Sequence, residues 1–89
     1  MDPSLAIGKL HTVYIAAEES KVAEIVAQSF DSFTLFREKG YYKGEQEEVS
    51  VLQIASWDTL AVERLALELK DHFHQAGVGL VVEGVYYRL

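Results

Sequence analysis

Read in order, the 89 residues present a strand, a helix, two strands, a second helix and a last strand. That order predicts an α+β fold of the ferredoxin-like, split βαβ kind (βαββαβ), a four-stranded antiparallel sheet with two helices on one face. Three observations carry the prediction. The hydrophobic period switches between the strand value of two and the helical value of about 3.6, and does so twice along the chain. A glycine-bounded stretch, Gly40-Tyr41-Tyr42-Lys43-Gly44, divides two strand patterns between Phe33 and Ser56, as in a hairpin. The chain is also short enough for one domain, residues 1–89, burying only about two-thirds of its unfolded surface.

Each element has its own signal. Residues 1–8 read as a flexible lead-in. Lys9 to Ala17 is rich in β-formers, with Val13 and Ile15 on one face and Thr12 and Tyr14 on the other. From Glu18 to Ser29 the period becomes helical through Val22, Ile25, Val26 and Ser29, and Glu18 and Glu19 favour the positive end of the helix dipole. FTLFREKG follows as a second strand, with Phe33 and Leu35 opposed to Thr34 and Phe36. Residues 47–56 form a third, setting Leu52 and Ile54 against Val49, Val51 and Gln53. The connection between these two strands reads as longer than the two-residue type, so the hairpin is expected to project as a flexible arm. Trp57 to Gln75 is a helix capped by Ser56 or Asp58, with Val62, Leu65, Leu69 and Phe73 in an apolar stripe. Gly77 is the expected left-handed stop. The chain then closes on GLVVEGVYYRL, a fourth strand.

Composition restricts the function. A net charge of −6 disfavours nucleic acid and anionic membrane, because neutralising phosphates needs clustered Lys and Arg. The longest apolar run is too short to span a bilayer, and the first residues lack the basic and apolar regions of a signal peptide. A cytoplasmic setting is the default. Without cysteine there is no disulfide and no thiolate metal site. His72 and His74 stand two apart on a helix and diverge, so no metal site and no cofactor are expected. The acidic residues do not converge as a general acid–base pair would need, and no nucleophile elbow or phosphate-binding glycine loop is present. Glu83, inside an apolar strand, needs a partner if it faces the helices.

Two features point to binding. In the glycine-bounded loop the tyrosines offer stacking and hydroxyls, and cations flank them. Arg37, Lys39, Tyr41, Tyr42 and Lys43 are therefore the expected ligand- or partner-binding residues. The second feature is weak alternation in the sheet: with Val13/Ile15, Leu52/Ile54 and Val81/Val85 facing the helices, Tyr14, Phe36, Val51, Leu80 and Val82 fall on the open face. A patch of that kind is unusual on a monomer, so these five are the expected interface with a second copy, in a dimer or trimer.

The run Phe30-Asp31-Ser32-Phe33-Thr34 followed by Gly40-Tyr41-Tyr42-Lys43-Gly44-Glu45 resembles a pattern in small prokaryotic and phage-borne proteins. In these a strand leads to an aromatic, glycine-flanked turn and an acidic third strand. The resemblance covers roughly Phe30 to Ile54 and implies a ferredoxin-like fold without an activity. The element order is also similar to PII signalling proteins and the CutA trimer, whose hairpin loop binds ligands or partners, and to the ferredoxin-like dimeric monooxygenases. The resulting expectation is a non-catalytic, self-associating binding or regulatory module. Its 38–48 hairpin loop and open sheet face would contact a protein or a small anionic ligand. The alternative is a small dimeric enzyme with a pocket between sheet and helices or at the dimer interface. A structural subunit of a larger assembly, from a phage or mobile element, is a third reading.

Overall fold

The structure, a computed structural model, describes residues 2–89. Its strands are β1 (Ala6–Ile15), β2 (Thr34–Tyr42), β3 (Glu45–Ser56) and β4 (Gly79–Tyr87), and its helices are α1 (Glu19–Val26) and α2 (Thr59–His72). They form one antiparallel sheet in the order β2-β3-β1-β4, the expected βαββαβ layout. β1 starts at Ala6, inside the stretch read as a lead-in. Ahead of it Pro3–Leu5 makes a 3-10 turn capped by the Asp2 carboxylate, which accepts from the Ser4 N–H. The Arg88 N–H donates to the Leu5 carbonyl at 2.9 Å. Met1, the first residue of that stretch, lies outside the described residues.

Parity along the strands builds the core. Val13 pairs with Leu52, and His11 with Ile54, so these residues share one face with Ile15. Against that face pack Val22 and Val26 of α1 and Val62, Leu65 and Leu69 of α2, each at most 3% exposed. Phe33, Leu35, Phe73 and Leu80 close the margins. α2 lies over β1 and β3, and α1 lies over β2. Two polar side chains are buried here and both are satisfied. Ser50 donates to the Ala17 carbonyl at 2.6 Å. The His11 ring has Nδ1 3.3 Å from the Ile54 carbonyl and Nε2 2.9 Å from the Thr59 hydroxyl. A carbonyl can only accept, so Nδ1 carries a hydrogen.

Both helix ends have an identifiable cause. Asp58 caps α2 by accepting from the Ala61 N–H at 3.0 Å, and Ser56 supports the cap by accepting from the Asp58 N–H. At the other end the stop is not Gly77. His74 takes the left-handed conformation, with φ 53°. The Gln75 N–H returns to the Lys70 carbonyl and the His74 N–H to that of Asp71. Those two bonds are a Schellman closure. α2 ends at His72, and its closing residue His74 lies three residues before the glycine.

The β2–β3 connection also differs from the expectation. Pairing continues through Gly40↔Glu47 and Tyr41↔Gln46 to Tyr42↔Glu45, leaving only Lys43 and Gly44 in the turn. Both have positive φ, 50° and 80°, the signature of a type I′ turn, whose twist suits a hairpin. Gly44 meets that need without strain. Gly40 has a different reason: a Cβ there would lie 2.6 Å from Val49 Cγ2. The stretch 38–48 is therefore a laddered arm with a tight tip, not a long loop.

Candidate functional site

β1 stops at the Ile15↔Ser50 pair, while β2 and β3 continue together beyond it. The arm so formed projects from the body, extending roughly 16 Å at strand rise, and the molecule measures 44 × 26 × 20 Å. At the inner corner between arm and body lies a cleft of about 470 Å3. Tyr14, Tyr42, Glu47 and Val49 line it on one side, and the α2–β4 connection from Gln75 to Gly79 on the other. That volume falls within the range of ligand sites. Its one ionised group is Glu47, the wrong sign for an anion.

The structure divides the five residues read as a binding loop. Register puts Arg37, Lys39 and Tyr41 on the helix side of the arm, Tyr42 on the open side, and Lys43 in the turn. Arg37 is ion-paired with Glu48. The Lys43 ammonium sits over the Tyr42 ring, 5.5 Å from its centroid. Only Tyr42 reaches the cleft. Over residues 37–48 three cations meet four carboxylates, and three of these carboxylates, Glu38, Glu45 and Glu47, lie on the open side by register. The cations do not converge on a common point.

The open face of the sheet is organised differently. Phe36, Val51 and Tyr14 stand side by side across β2, β3 and β1. Thr34, Gln53 and Thr12 form the next row, and Val81 extends it onto β4. No charged residue falls within these rows, although charged residues make up 25% of the chain. Neither helix covers this side. Tyr14 and Val81 are 42% and 41% exposed, yet Val51 at the centre is only 2% exposed, shielded by its neighbours in the face.

Two members of the expected interface lie elsewhere. Leu80 pairs with Val13, and Val82 with His11, so both belong to the helix side. β4 has apolar residues at both parities, so alternation could not fix its register. A bulge then shifts it, because Glu83 and Gly84 together oppose Leu10 between the pairs His11↔Val82 and Lys9↔Val85. Val81 and Val85, read as sharing a face, consequently point to opposite sides. Glu83 is exposed and makes no demand on the core. β4 is an edge strand, and among its large apolar residues Val82, Val85 and Tyr86 are 45%, 43% and 45% exposed.

Sequence reasoning missed Glu47, Val49 and the Gln75–Gly79 wall of the cleft. A two-residue turn would have revealed the first two, since it sets Tyr42, Glu47 and Val49 on one face. Among the described residues no group of three or more His, Asp or Glu is placed to hold a metal ion, and no helix is long and apolar enough to cross a membrane. Compared with known proteins, the chain matches no family model, no curated protein and no solved structure.

Proposed function

We propose that this chain is a non-catalytic, self-associating binding module that holds its open sheet face and hairpin arm against another polypeptide. The observation that carries this reading is the uncharged face centred on Tyr14, Phe36 and Val51. Depletion of charge with aromatic enrichment marks the centre of protein interfaces, and a solvated sheet face normally alternates with polar residues. The carboxylates of the arm supply a polar rim at one end. A protein suits this surface better than a small anion, because Arg37 is already paired and Glu47 stands in the cleft. The enzyme alternative needs a pocket between sheet and helices or at the dimer interface, and the first of these spaces is filled by Val13, Ile15, Leu52 and Ile54 against the helices.

Native mass spectrometry of protein purified gently from its own host is the test. The expected species is a homo-oligomer carrying a second polypeptide, which Phe36→Asp strips off while the helical circular dichroism stays unchanged. A bare 10.0 kDa monomer would overturn the proposal. A retained small molecule instead of a polypeptide would favour an enzyme built around the cleft.

A further inference from the structure

We infer that two copies of this chain associate by pairing their β4 strands edge to edge, antiparallel, into one continuous sheet. The inference rests on the self-association proposed above and names its route. Four stretches of strand lack a neighbour on one side; Ala6–Gly8 of β1 is only three residues long, and the other three differ in how they discourage pairing. β2 carries Arg37, Glu38 and Lys39 in succession, all exposed. The free stretch of β3 on the arm carries Glu45, Glu47 and Glu48, which would repel the same stretch of a second copy. Charged residues of this sort are the usual protection of an edge. β4 has almost none, since from Gly79 to Tyr87 its sole charge is Glu83 and it contains no proline.

The backbone of β4 is suitably presented. Ala6 and Tyr87 are directly opposite, and the Arg88 N–H reaches the Leu5 carbonyl. That combination defines a pair that exchanges no hydrogen bonds of its own. The N–H and C=O of Tyr87 therefore point away from β1, toward the open edge. Charge selects the register. A two-fold centred on Glu83 would set two carboxylates together, whereas a two-fold nearer Tyr86 brings Glu83 beside the partner's Arg88, once in each direction. Such a contact uses the same patch on both copies and closes at the dimer. It leaves the two uncharged faces adjacent, as one wider platform for the partner polypeptide.

Sedimentation equilibrium combined with amide hydrogen exchange tests the inference on the intact chain. The expected result is a dimer in which the Tyr87 amide exchanges at least about tenfold more slowly than in diluted monomer. Val85→Lys, a charge placed beside the two-fold on the exposed edge, should leave a folded monomer, and Phe36→Asp should leave the dimer intact. A dimer whose Tyr87 amide exchanges at the monomer rate, and which Phe36→Asp dissociates, would overturn edge pairing while keeping self-association. A monomer at every concentration would overturn both. The exchange measurement uses the unaltered chain, so it decides the matter even if a variant fails to fold.

Discussion

His74 occupies the left-handed region at the end of α2, where a Cβ costs roughly 1 kcal/mol relative to glycine. His74→Gly should therefore raise stability by about that amount, seen as a melting temperature about 4–8 °C higher in a domain of this size. The opposite sign is expected in the hairpin turn. Gly44→Ala forces a side chain to φ 80° and should cost roughly 1 kcal/mol, read from the denaturant midpoint. A third residue-level effect concerns the buried imidazole. Thr59→Val keeps the shape of the side chain but removes the hydroxyl from His11 Nε2, and should cost about 1–3 kcal/mol. Of these three features the sequence announces only part. A glycine in the turn is visible, but a histidine performing a glycine's task is not, because its conformation is imposed by the two closing hydrogen bonds to Asp71 and Lys70. The Thr59 contact joins residues 48 positions apart, and no local pattern encodes it.

Helices and strands were legible wherever an element has one buried face. Val13 and Ile15, Leu52 and Ile54, and the α2 stripe of Val62, Leu65 and Leu69 all sit where their spacing puts them. Leu69→Ala should therefore remove about 2–5 kcal/mol, with the loss read from equilibrium unfolding. Legibility failed for β4, which is exposed on both sides, so burial imposes no alternation on its sequence. It failed again at the arm, where Gly40 looks like a turn residue and is in fact a ladder residue making room for Val49. The candidate site inherits both failures. Tyr14, Phe36 and Val51 share the face their alternation predicts because they belong to well-patterned strands, whereas Leu80 and Val82 belong to a strand whose register only the bulge explains. The binding loop dispersed for a related reason: residues adjacent in sequence on a laddered strand point to opposite faces.

At the scale of the whole molecule, each copy carries a net charge of −6 around the face and edge proposed to associate. Long-range repulsion between copies is screened by salt, the Debye length falling from about 10 Å at 0.1 M to about 3 Å at 1 M. Self-association should consequently strengthen with added sodium chloride, measured as a lower dissociation constant by sedimentation equilibrium. Weakening would show that ion pairs such as Glu83 with the partner's Arg88 dominate over net repulsion.

The central place of β1 has a kinetic consequence. Flanked by β3 on one side and β4 on the other, it draws both partners from distant parts of the chain, and its pairing with β4 spans almost the whole described length. The β2–β3 hairpin, by contrast, closes over two residues and needs nothing else to begin. Refolding should then be limited by the slow docking of β1 into its slot, as expected for a topology rich in non-local contacts. The hairpin would form early and β4 late. An unfolding chain would release β4 first and expose the other side of β1, so the earliest departure from the native state occurs at the strand least guarded against foreign pairing.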